Sequence, residues 1–409
     1  MRKTLPFVLA LLLLTGCAAD PAITTAPTIP STTTPPETTI MIETTSLPPE
    51  TSLPPETTTA PDPMDVLMDS MTLEQKVGQL FIAAPEQLLE DGATITSMTD
   101  ELAAALKTYP LGGIILFAQN IQNPEQITAL NSALAEASTL PPFLSVDEEG
   151  GLVARLGSNS AFNLPTYENA AAVAASGNPE DVLNMGQTIG AYLNKYGFNL
   201  DFAPVADVNT NPDNPVIGTR AFSSDPEVAA TMAAAFAAGL RENGVCATFK
   251  HFPGHGDTNQ DSHSGLAVSW RNREQQECCE WLPFREATPM DFIMIAHVAL
   301  PEITGDMIPS TLSRQIVTGI LREELGFDGL IITDAMNMGA ITESYGSSSA
   351  AIAALEAGCD IVLMPNNVPE AFQAVLDAVN SENLSDEWLD STVRRILNFK
   401  LAHGILVLP

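Results

Sequence analysis

The stretch GLIITDAMNMGA, residues 329–340, starts as an unbroken apolar run and ends on a single carboxylate, Asp334. A strand that is hydrophobic on both faces belongs inside a parallel sheet covered on both sides. Seven other runs share this character: 79–84 (QLFIAA), 112–120 (GGIILFAQN), 143–147 (FLSVD), 199–208 (NLDFAPVADV), 246–250 (CATFK), 292–297 (FIMIAH) and 359–365 (CDIVLMP). Ala- and Leu-rich segments such as DPEVAATMAAAFAAGLRENG lie between them, with helical composition and a closing glycine. Thr72-Leu-Glu-Gln75 reads as a capping box that opens a helix. Eight strand–helix units predict an α/β fold, a (β/α)8 TIM-type barrel over residues 64–409. No GxGxxG or P-loop pattern follows the first strand, which disfavours a dinucleotide fold. SDEWLDSTVRRILNFKLAHGILVLP supplies the eighth helix and a short tail, and no second folded domain is expected after it.

The residues ahead of the barrel read differently. Arg2 and Lys3 precede the apolar run LPFVLALLLL, and Thr15-Gly16-Cys17 follows. The order resembles a bacterial lipoprotein signal peptide, residues 1–17, which implies cleavage before Cys17 and a lipid on its thiol. An ordinary signal peptide with an incidental cysteine is the alternative. Residues 18–63 are dominated by Thr, Pro and Glu, too poor in apolar residues to bury a core, and are expected to form a disordered linker. Extended proline-rich chain of this length reaches on the order of 100 Å. A lipid-anchored barrel on a stalk at the cell envelope is therefore expected.

The chain has 409 residues and a net charge of -33, so nucleic acid is excluded as a partner for want of clustered Lys and Arg. Cys246, Cys278, Cys279 and Cys359 fit no metal-ligand spacing and are expected to pack.

In such a barrel, chemistry gathers where strands end. Here the ends carry Asp147, Asp207, Lys250, His251, His297 and Asp334. The stretch KHFPGHGDTNQDSHSG, residues 250–265, holds three of the five histidines. His251 and His255 have the i, i+4 spacing of zinc ligands, but Pro253 and Gly254 break the helix this needs, so no metal is expected. A plain packing or loop-capping role for the histidines stays open. Asp261-Ser262-His263 forms a dyad in which a carboxylate fixes an imidazole able to give and recover a proton. Asp334 reads either as a helix N-cap or as the nucleophile such a dyad lacks.

KHFPGHGDTNQDSH, SVDEEGGLVAR (145–155), DFAPVADVNTNPDNPVIGTRAF (201–222) and LREELGFDGLIITDAMNMGAI (321–341) together resemble the β-N-acetylhexosaminidases of glycoside hydrolase family 3. The resemblance spans the whole folded part, in order. It implies a single-domain barrel enzyme, active without cofactor, that removes terminal β-linked N-acetylglucosamine, with peptidoglycan muropeptides as the expected substrates and a monomer as the expected state. It assigns Asp334 as nucleophile, His263 as general acid/base and Asp261 as its partner. Asp147, Arg155, Arg220, Lys250 and His251 are implied as sugar contacts, although on their own the two arginines and the lysine read as surface charges or ion-pair partners. Family members of the two-domain β-glucosidase type carry a glutamate acid/base outside the barrel, and here the histidine loop takes that place. The alternatives are a β-glucosidase, a phosphorylase using phosphate in place of water, or an inactive carbohydrate-binding lipoprotein. One departure stands out: Leu152 follows Glu-Gly-Gly, where many relatives have Arg.

Overall fold

A computed structural model describes residues 62–408. The expected signal peptide, the lipidation site Cys17 and nearly all of the expected linker lie outside the described residues. Helix Pro63–Ser70 opens the described part, its first turn capped where Asp62 accepts from the Met64 N–H at 3.0 Å. It starts one residue ahead of the expected boundary. The Thr72 capping box is present: Thr72 Oγ1 accepts from Gln75 N–H, and Gln75 Oε1 accepts from Thr72 N–H.

All eight apolar runs contribute strands: β1 (Phe81–Ala83), β2 (Gly113–Ile115), β3 (Phe143–Val146), β4 (Leu200–Asp201), β5 (Thr248–Phe252), β6 (Phe292–Ile295), β7 (Leu330–Thr333) and β8 (Val362–Leu363). The fold is α/β with parallel sheets. One sheet has the order β8-β1-β2-β3-β4 and a second the order β7-β6-β5. Parallel bridges join their edges, Leu200 with Cys246 on one side and Ile332 with Ile361 on the other. The strands thus follow one another around a ring, in the manner of a TIM barrel.

Two strands differ from the expected runs for local reasons. β4 covers two residues of a ten-residue run because pairing beyond it is irregular: Thr248 N–H donates to Ala203 O at 2.8 Å, Lys250 N–H to Pro204 O at 3.1 Å and Ala206 N–H to Lys250 O at 2.7 Å. β5 continues past Lys250 through His251 and Phe252 and stops before Pro253. Helix Pro226–Glu242 forms over the Ala-rich segment, N-capped by Asp225, and helix Asp386–Ala402 closes the ring.

At the strand starts, Phe143, Phe292 and Phe399 pack edge to face, with centroids 5.2 Å and 4.9 Å apart along the chain of three. Lys400 lies fully buried beside them, its ammonium donating to Gln79 Oε1 at 2.8 Å and Gly112 O at 2.9 Å. Burial pulls its pKa down to about 7. This plug closes one end of the barrel and leaves the strand ends for chemistry. Cys246, Cys279 and Cys359 are buried as expected, whereas Cys278 is exposed; all four are free thiols.

Candidate active site

The loop after β3 is a hairpin of two short strands, Glu148–Gly150 and Val153–Ala154, pinned from behind. The buried Glu148 carboxylate accepts the N–H groups of Arg155, Leu156 and Gly157 at 2.6–2.8 Å and the Tyr192 hydroxyl at 2.7 Å. With its backbone so held, the hairpin sends Asp147, Glu149 and Arg155 to the cavity.

There they meet two cations, Lys250 within β5 and Arg220 from a turn in the loop after β4. Lys250 Nζ lies 2.9 Å from Asp147 Oδ1 and 2.7 Å from Glu149 Oε1. Arg220 grips Glu149 through Nε at 2.9 Å and Nη2 at 2.8 Å, a bidentate pair. Arg155 Nη2 is 3.5 Å from the other oxygen of Asp147. Burial works against the charges of Glu149 and Lys250. For Glu149, Arg220 and Lys250 overcome it and hold the carboxyl far below its usual range. Asp147 and Glu149 do the same for Lys250, whose pKa is raised.

Asp207, fully buried after β4, organises the histidine stretch. One of its oxygens lies 2.6 Å from His251 Nδ1, and the other accepts the His255 N–H at 2.7 Å. The two zinc-spaced histidines are therefore bridged by a carboxylate on a strand and turn. His255 takes the loop-capping role: its Nδ1 lies 2.7 Å from Thr258 Oγ1 and its Nε2 3.0 Å from Ser262 Oγ. Burial depresses its pKa, which favours the neutral ring. Ser262 sits between the members of the dyad. Asp261 Oδ1 accepts the His263 N–H at 2.9 Å and lies 2.7 Å from His263 Nδ1, leaving Nε2 as the free end of the ring.

Asp334 follows β7 in a turn. Its Oδ1 accepts only the adjacent Ala335 N–H, at 2.7 Å, and the next helix, Gly339–Thr342, starts beyond Met338 without a side-chain cap. The helix N-cap reading of Asp334 is thus not what the chain adopts. Burial favours the neutral acid, but His297, His251 and the Ala335 N–H outweigh it and hold Asp334 below the usual carboxylate range. His297, fully buried, braces the turn through Nε2 to Ala335 O at 3.0 Å and Nδ1 to Thr311 Oγ1 at 2.7 Å.

Seven of the residues expected from the sequence, Asp147, Arg155, Arg220, Lys250, His251, His263 and Asp334, line one cavity of about 370 Å³ at the strand ends. Asp261 does not line it; it stands behind the His263 ring. Glu149 escaped the sequence reading because the third acid of an Asp-Glu-Glu run looks like a solvated charge. Among the described residues, no three His, Cys, Asp or Glu side chains converge as a metal site. An ionised, half-buried carboxylate and an imidazole with one free nitrogen, set beside a hydrogen-bonding cluster of acids and cations, suit displacement at a sugar carbon.

The chain is similar to several known proteins. The family model described as "Glycosyl hydrolase family 3 N terminal domain" matches residues 72–399. The chain is 37% identical over 335 residues to beta-hexosaminidase A of Pseudoalteromonas piscicida, an alignment that covers 75% of this chain and 56% of that protein. It is 34% identical over 292 residues to a beta-hexosaminidase of Stenotrophomonas maltophilia, covering 69% of this chain and 85% of that one. A glycoside hydrolase family 3 beta-N-acetylglucosaminidase from Paenibacillus sp. superposes with a TM-score of 0.77 at 36% identity, over 82% of this chain and 63% of that chain. A beta-N-acetylhexosaminidase from Beutenbergia cavernae superposes with a TM-score of 0.72 at 28% identity, over 82% of this chain and 99% of that one. The chain thus spans about half of one relative and nearly the whole of another. It belongs to glycosyl hydrolase family 3, through that family's N-terminal domain.

Proposed function

We propose that this chain is a retaining exo-β-N-acetylglucosaminidase that removes terminal β-linked N-acetylglucosamine. The observation that carries the reading is that Asp334 and His263 line the same cavity, with the His263 ring fixed by Asp261 at 2.7 Å. Relatives named beta-hexosaminidase support the choice of sugar.

The reaction is a double displacement. A carboxylate oxygen of Asp334 forms a bond to the anomeric carbon as the glycosidic C–O bond breaks. The leaving oxygen takes a proton from His263 Nε2. Asp261 holds the ring and stabilises its charged form before that transfer. Water then attacks the glycosyl–Asp334 ester: its oxygen bonds to the anomeric carbon, its proton passes to His263 Nε2, and Asp334 leaves as carboxylate. Asp147, Arg155, Arg220, Lys250 and His251 hold the sugar hydroxyls and strengthen that hold as the ring flattens. Peptidoglycan fragments are the proposed source of the sugar, met at the cell envelope by a chain lipid-anchored through Cys17.

A chromogenic aryl N-acetyl-β-glucosaminide assay tests this reading. Turnover by the wild type, its loss in Asp334→Ala, and a much lower rate on the matching glucoside are expected. Equal rates on both sugars, or turnover surviving in Asp334→Ala, contradict it.

A further inference from the structure

The loop that carries His263 has two faces. His255, Ser262 and His263 line the cavity described above, whereas Asp257 and Asn259 of the same loop line a second, more open cavity of about 440 Å³. Its other walls come from the loop after β4 (Thr210, Asn211) and from Trp270 and Arg271, which follow the histidine loop. All these residues lie on the strand-end face.

Trp270 is 65% exposed, whereas Trp281 is fully buried and Trp388 is half-buried. A single exposed apolar residue needs no explanation. An indole set among primary amides, a carboxylate and a guanidinium is a different surface: the ring offers a flat apolar face, and its neighbours offer paired donors and acceptors. A pyranose presents the matching pair, an apolar C–H face and a rim of hydroxyls. The Asp257 carboxylate serves the wall itself, its Oδ2 accepting the Ser269 hydroxyl at 2.7 Å and lying 3.5 Å from Arg271 Nε, so the amides of Asn211 and Asn259 are the polar groups left to face a ligand. Loop and wall are also tied together, because Asn211 Nδ2 donates to Thr258 O at 3.0 Å and to Asn259 Oδ1 at 2.7 Å.

Chemistry fixes which part of a substrate reaches this place. The proton donor must face the glycosidic oxygen, so the leaving group extends past the loop that bears it. We propose that Trp270 is a stacking platform for a sugar ring of the leaving group, with Asn211 and Asn259 as its polar rim. The inference rests on the exo-glucosaminidase reading and deepens it: a saccharide is the favoured aglycone. Because Trp270 is exposed and touches none of the reacting groups, its removal leaves the fold and the chemistry in place.

The test compares wild type, Trp270→Ala and Trp270→Phe on a p-nitrophenyl N-acetyl-β-glucosaminide and on β-1,4-linked N-acetylglucosamine dimers, trimers and tetramers. Trp270→Ala is expected to lower kcat/KM on the oligomers by about three- to tenfold, the worth of one stacking contact, to spare the aryl glycoside, and to be rescued by Trp270→Phe. Equal effects on both substrate types, or none on the oligomers, overturn it. Calorimetric binding of the trimer to Asp334→Ala, with and without Trp270→Ala, reads the platform apart from turnover. Weaker binding in the double variant supports the platform even if wild type turns over neither substrate, in which case only the functional reading fails. Unchanged binding overturns the platform.

Discussion

The Gly339 N–H, in the first turn of helix after Asp334, donates to the main-chain carbonyl of His263 at 3.2 Å. Its neighbour Ala340 donates to Ser262 O at 3.3 Å. The segment bearing Asp334, the proposed nucleophile, thus holds the loop bearing His263, the proposed acid. Contact between the backbones is close enough that a Cβ at position 339 would lie 2.8 Å from His263 O.

Gly339→Ala should therefore push the loop outward without touching a reacting group. Misplacement of this kind costs roughly ten- to a hundredfold in rate. We expect kcat on glycosides with poor leaving groups to fall within that range, with a smaller loss on a dinitrophenyl glycoside that needs no proton. Equal losses on both would show that Asp334, not the loop, had moved.

His263→Ala removes the proposed proton donor itself. Substrates with strongly basic leaving groups should lose about 10²–10⁴ in kcat/KM, the usual worth of general acid catalysis, and activated aryl substrates far less. Asp261→Asn should follow the same pattern with smaller losses. A rate series across leaving groups of graded acidity measures both.

Glu149 is the buried anion that the buried Lys250 and the half-buried Arg220 share. Glu149→Ala strips Arg220 of its carboxylate and leaves Lys250 with Asp147 alone, and breaking one partner from a buried ion cluster costs about 3–5 kcal/mol. A lower denaturant midpoint with an unchanged slope, together with a raised KM, is expected. An unchanged midpoint would mean the cluster is solvated.

Glu280 lies fully buried beneath the histidine loop, beside Gly254. Burial and the nearby Asp257 push its pKa up to about 8, and Arg271 at 3.2 Å pulls the other way without prevailing. The folded state then keeps a proton that the unfolded chain gives up near pH 4.5. Its contribution to stability is full below that pH and is lost as pH rises through about 8. Wild type should therefore lose stability relative to Glu280→Gln between these limits, which paired thermal melts at pH 5 and 8 will show. A constant gap between the two melts would contradict it.

Much of this was legible in the chain. Asp334, Asp147 and Lys250 stand where apolar strands end, so a pattern of strands also located the site. Asp207 was visible in the same way, but its clamp on His251 and His255 needs two loops to meet in space. Glu149 and Gly339 were not legible, since an acid in a charged run and a glycine in a small-residue turn acquire meaning only from what packs against them. The length of β4 depended on irregular pairing around Ala203 and Pro204, a detail that hydrophobic patterning does not weigh.

The stereochemistry of the first-formed product tests the central claim most directly. Followed by proton NMR in the first minutes of hydrolysis, before mutarotation, N-acetylglucosamine should appear as the β anomer, because two displacements through Asp334 restore the starting configuration. If the α anomer appears first, no covalent bond to Asp334 forms and the account is wrong.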